Sequence, residues 1–156
     1  MARFVVAACV AAHIARSGVS VLSAQEGTTY DDNALRLEGH IGDVRIVRGA
    51  QGTVLGKIGV FRGVDVVKLV SPSEKATFEA KNFAQEYGPG TWLTSLGIAT
   101  LGAAIGVSRI HDFNSGITTG LMLAATGLIA YGGGRLESAY NALSRSVWWY
   151  NRDLQR

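Results

Sequence analysis

Two stretches of this chain carry no charged side chain, Thr91 to Ser108 and Gly116 to Gly134. Each is close to the roughly 20 residues that cross a bilayer as a helix. The polar run RIHDFNSG joining them is short, so the two are expected to form an antiparallel helical hairpin. Small side chains recur four residues apart in both: Ser95, Ala99 and Ala103, with Gly102 and Gly106, in the first, and Gly116, Gly120 and Ala124 in the second. Residues four apart share a helix face. Small ones let two backbones come close, and in lipid that packing drives association. These eight positions are the candidate helix-packing residues, for a tight hairpin or for an oligomer face.

The pattern before the hairpin is different. Val44, Ile46 and Val47 are β-branched, GAQG (49–52) is a turn cluster, and TVLGKIGVF is a second β-like run, so a β-hairpin is expected here. The alternation in the first of these strands is poor. NALRLEGHIGD ahead of it leads into a possible first strand, and VDVVKLV after it reads equally as a third strand or a short helix. SPSE is a helix start, with Ser71 as the cap, Pro72 at the first helical position and Glu74 completing a capping box. The helix is expected to run to Tyr87, with Ala76, Ala80, Phe83, Ala84 and Tyr87 on one face and Lys75, Glu79, Lys81 and Glu86 off it. Gly88-Pro89-Gly90 is expected to stop it.

After Gly132-Gly133-Gly134, read as a hinge, Leu136, Tyr140, Leu143, Val147, Tyr150 and Leu154 recur at alternating spacings of four and three. This is the stripe of an amphipathic C-terminal helix. Trp148 and Trp149 widen it. Tryptophan and tyrosine favour a membrane–water interface, where the ring is buried and its polar atom stays wet. Tyr140, Trp148, Trp149, Tyr150 and Leu154 are therefore candidates for an interface or partner site, beside the alternative that the helix docks on its own core.

Charged residues make up 17% of the chain, below the roughly 25% of an average soluble domain. Glycine, 20 of 156, is nearly double the usual share of about 7%, with only two prolines, which reads as close backbone packing and not as a flexible linker. The net charge is +3, and Arg3 and Arg16 supply two of the 15 basic residues, leaving 13 against 12 acidic ones. No basic cluster stands out, so nucleic acid is excluded as a partner class.

The first 24 residues resemble a secretory signal: Arg3, an apolar run from Phe4 to Ala12, and small residues before Gln25, with His13 and Arg16 interrupting the run. Cleavage is expected near Ala24. Val6 to Cys9 has the look of a bacterial lipobox, but too few apolar residues precede Cys9 for an h-region of about 7–15. Cleavage after Ala24 leaves no cysteine, and with it no disulfide, thiolate metal site or cysteine nucleophile.

Sites of chemistry are sparse. GTVLGK lacks the first glycine and the Ser/Thr of a phosphate loop. His40 stands beside Gly39, and His111 beside Asp112 in the hairpin loop, where an enzyme site would have to lie; no spacing offers metal ligands. Asp31 and Asp32 read as an acidic tail. No catalytic residue, cofactor or metal is expected.

Ala142, Ser146, Val147, Tyr150, Asn151 and Leu154 form an ending of the type A-x-x-x-[small]-[apolar]-x-x-Y-N-x-x-L. With the signal, the short polar region and the Gly-rich hairpin, this plan resembles a diffuse family of uncharacterised bacterial envelope membrane proteins, over roughly residues 72–156. The β-like middle departs from the helical, Lys-rich version of that family. The resemblance implies envelope location and supplies no activity, cofactor or catalytic residue.

The expected fold is mainly α with a small β region. Its segments are a signal peptide (1–24), a small polar β/α region (25–90), a Gly-rich transmembrane helical hairpin (91–135) and an amphipathic C-terminal helix (136–156). The expected function is that of a non-enzymatic bacterial envelope membrane protein, an accessory or scaffold subunit with the lipid bilayer and a larger membrane complex as partners. The alternative is a homo-oligomeric channel or membrane-perturbing assembly on the small-residue faces. A cleaved signal and a two-span hairpin put both mature termini in the periplasm, against the pull of Arg135, Arg145, Arg152 and Arg156, which the positive-inside tendency would keep in the cytoplasm.

Overall fold

A computed structural model describes residues 30–40, 43–59, 63–109 and 115–156. The signal-like segment with Cys9 and His13, and the loop pair His111 and Asp112, lie outside the described residues. Among the described residues the fold is mainly α with a small β region: a helical turn over residues 30–33, a three-stranded antiparallel sheet, a short helix and two long helices.

Strands β1 (Leu35–His40), β2 (Asp43–Arg48) and β3 (Thr53–Gly59) form a meander with β2 in the centre. The expected turn lies between β2 and β3. Gly49 and Gly52 there take φ of 70° and 68°, in the left-handed region that glycine enters without steric cost. A side chain at Gly49 would also run into the Asp32 carbonyl oxygen at 2.6 Å. Ile46 pairs with Gly56 and Val47 with Val54, so Leu55 is an extra residue, a β-bulge. The poor alternation of β2 has a structural cause. The cause is cover on both faces of β2: Ile46 and Val47, which point to opposite faces, are both fully buried, Ile46 in the main core and Val47 outside it.

VDVVKLV resolves as a short helix, α1 (Val66–Leu69), capped by the Asp65 side chain, which accepts from Lys68 N. The next helix, α2, runs Glu74–Ser108 and differs from expectation at both ends. Its cap is Ser73, not Ser71: Ser73 Oγ accepts from Ala76 N at 3.3 Å and donates to the Asp153 carboxylate. A tertiary partner at the far end of the chain thus decides which serine caps. Gly88-Pro89-Gly90 does not stop the helix. Pro89 sits inside it on an exposed face, costing one backbone hydrogen bond to the Gln85 carbonyl. Helix α3 (Ser115–Asp153) runs unbroken through Gly132-Gly133-Gly134, so no hinge separates a hairpin from a tail helix.

Pairing between α2 and α3 overrides these breakers. Along α2 the buried positions Ala76, Phe83, Gly90, Gly97 and Ala104 recur every seven residues. Along α3, Ala125, Gly132, Ala139 and Ser146 do the same. The two series face each other antiparallel: Ser146 Oγ donates to the Ala76 carbonyl at 2.9 Å, and Gly132 abuts Gly90 and Thr94. A seven-residue repeat keeps one face against a straight partner over many turns, as in a left-handed coiled coil. The hydrophobic core sits at one end of this pair. Leu35, Ile46 and Ile58 of the sheet pack with Val66, Val70, Ala76, Ala80, Phe83, Ala139, Leu143, Val147 and Tyr150.

Candidate functional site

The far end of the α2–α3 pair has no such cover. Each helix is long and apolar enough to cross a membrane, and only 17% and 11% of their apolar windows are buried. Trp92 (65% exposed), Ile98, Ile105, Ile117, Leu123 (71%) and Tyr131 point outward. Hydroxyls on this surface turn back onto their own helix: Thr100 donates to the Leu96 carbonyl, Thr119 to Ser115, Thr126 to Met122 and Ser108 to Ile105. That habit removes the need for water at a polar side chain.

Of the two expectations for the eight candidate packing residues, a tight hairpin or an oligomer face, the structure departs from the first. Ser95, Ala99, Gly102, Ala103, Gly106, Gly116, Gly120 and Ala124 are all exposed, and the structure brings none of them into the α2–α3 seam. A side chain at Gly102, Gly106 or Gly120 would meet nothing within 4 Å. The reason is the period. Four-residue spacing suits a steeply crossing right-handed pair, while these helices run alongside for their whole length and require seven. The residues that hold the seam, Gly90, Gly97, Ala104, Ala125 and Gly132, were visible as a heptad of small residues.

Charge begins abruptly where the apolar surface ends. Gly90 lies against Arg135 and Leu136, and Gly132 against Thr94, so Trp92 and Tyr131 stand within a turn of the same level. Just below them Arg135 Nε lies 3.2 Å from Glu86 Oε2, with its guanidinium 5.6 Å from the centre of the Tyr131 ring. Exposed aromatics beside a charged pair are what a membrane–water boundary selects. A shallow groove of about 330 Å³ opens here, lined by Glu86, Ala130, Tyr131, Gly134, Arg135 and Ser138.

The tail motif is a clasp on the small domain. Asn151 grips the first residue of edge strand β1 with both ends of its amide, Oδ1 accepting from Leu35 N at 2.7 Å and Nδ2 donating to Leu35 O at 2.8 Å. Tyr150, Val147, Ser146 and Ala142 of the same motif are buried. Of the candidate interface or partner residues, Tyr150 is thus a core residue. Tyr140 packs edge-on against Tyr87, and burial first, then Tyr87, holds its phenol above the usual 10.0. Trp149 is half-buried between Lys75 and Arg152, at 4.4 and 4.1 Å from its ring centre. Trp148 (55% exposed) and Leu154 face outward. A cleft of about 450 Å³ runs beside Trp149, lined by Glu74, Lys75, Phe78 and Glu79.

Among the described residues, no group of three or more His, Cys, Asp or Glu is gathered to hold a metal ion. No family model, curated protein or solved structure matches this chain.

Proposed function

We propose that this chain is a non-enzymatic membrane protein of the bacterial envelope, whose hairpin crosses the bilayer and holds the small β/α domain at its surface as an accessory or scaffold subunit. The observation that carries this reading is the exposure of the hairpin. A soluble core helix is mostly buried, and these two are not. Trp92 to Ser108 rises about 26 Å and Gly116 to Gly134 about 28 Å, near the roughly 30 Å of hydrocarbon. The exposed Trp92 and Tyr131 mark one boundary, and Arg109 the other. In this frame Trp148 lies about 25 Å along α3 from Tyr131, well clear of the bilayer. Trp148 and Trp149 then serve the domain or a partner and not the lipid surface. The export-like first 24 residues support a periplasmic domain, and a reporter that works only in the cytoplasm should then be inactive when fused after Arg156. Membrane fractions washed in high salt should retain the full chain and release it in detergent. Recovery in the soluble fraction without detergent contradicts the reading.

The second reading, a homo-oligomeric assembly, has one observation in its favour: the four-spaced small residues are all exposed on the surface of the helix pair. Crosslinking in membranes separates the two, a discrete ring of identical chains supporting oligomers and an unrelated co-purifying protein supporting the scaffold.

A further inference from the structure

We infer that the groove at the end of the apolar hairpin binds the headgroup of a zwitterionic phospholipid that carries a primary ammonium, an ethanolamine lipid. This rests on the membrane reading above and deepens it. The groove runs along two turns of α3, from Ala130 and Tyr131 at its apolar end to Arg135 and Ser138 at its polar end. That is the direction in which a lipid passes from acyl chain to headgroup. Gly134, with no side chain, leaves the floor between them open; a Cβ there would touch nothing within 4 Å.

The charges choose the headgroup. Arg135 and Glu86 form a neutral pair, each side chain about one-third exposed toward the groove. A purely anionic headgroup would draw Arg135 and repel Glu86. A zwitterion supplies a counter-charge to each: phosphate oxygens for the Arg135 guanidinium and the Ser138 hydroxyl, and an ammonium for the Glu86 carboxylate. A guanidinium binds phosphate through several directed N–H groups. A primary ammonium donates hydrogen bonds to a carboxylate, which a trimethylated one cannot. Choline lipids therefore lose the Glu86 half of the site.

The test uses the full chain in mild detergent, offered an equimolar mixture of ethanolamine, choline and glycerol phospholipids with identical acyl chains. Retained lipid is counted by native mass spectrometry. The expected result is about threefold enrichment of the ethanolamine lipid over each of the others, the scale of a partly exposed ion pair. Glu86→Gln and Arg135→Gln each bring the ratio toward one, and millimolar inorganic phosphate leaves it unchanged. The wild-type headgroup series stands by itself should either variant fold poorly. Equal retention of all three lipids, enrichment of the glycerol lipid, displacement by free phosphate, or enrichment that survives both substitutions overturns the inference. The membrane reading survives all of those results; it fails if the chain stays in solution without detergent, and the lipid site fails with it.

Discussion

At Gly132 a single added carbon would stand 2.7 Å from Thr94 N and 3.0 Å from the Gly90 carbonyl oxygen, both backbone atoms that cannot swing away. At Gly102 and Gly120 the same carbon meets open space. Gly132→Ala should therefore cost about 1–3 kcal/mol through overpacking. Gly102→Ala and Gly120→Ala should cost nothing, and gain up to about 1 kcal/mol of helix propensity. Thermal melts of the three variants in one detergent check this, and the reverse ranking would restore the four-spaced faces as the hairpin contact. Tyr140 adds a pH dependence. Its folded pKa is raised above the unfolded 10.0, chiefly by burial, so the fold holds this proton more tightly than the unfolded chain. The stability it contributes is whole below about pH 10 and lost as pH climbs through the raised value. Tyr140→Phe should flatten the fall in stability above about pH 10; an unchanged slope would say that the phenol is not held in this way.

Individual elements were legible where local chemistry agreed with the fold. The β2–β3 turn followed from its glycines, and the tail stripe from Leu143, Val147 and Tyr150, three of its buried positions. Local signals misled where a long partner overruled them. Gly88-Pro89-Gly90 and the triple glycine both read as breaks, because propensity counts only the cost of a residue in an isolated helix. Against α3, Gly90 is the residue that permits contact; against α2, Gly132 is. Ser71 read as a cap because the Asp153 partner of Ser73 is 80 residues away in sequence. The continuity of α3 has a direct consequence. Spin labels at the exposed positions 120 and 144 should show one narrow distance near 36 Å, the length of a straight helix over that span. A broad distribution reaching shorter distances would put the hinge back at Gly132-Gly133-Gly134.

At the scale of the whole molecule, one small-residue seam ties two environments together. Its lower half is roofed by the sheet and clasped by Asn151 and Asp153, and its upper half stands bare. The division into a polar region, a hairpin and a tail helix was legible as composition, but composition hides that residues 74–90 and 135–153 form one domain. Function was less legible than fold, because the proposed site is a bare apolar surface, read as facing lipid as its solvent, and not a cluster of reactive groups. The central claim is that residues 91–135 lie in that solvent. Single cysteines placed at Ile98 and Leu123, in a chain with Cys9 replaced by serine, test it by reaction with a membrane-impermeant maleimide. A third cysteine at the exposed Gln51 serves as the reference. In membranes and in micelles, position 51 should label fully and positions 98 and 123 only after denaturation in SDS. Labelling of 98 and 123 as fast as 51 in native preparations would contradict the account.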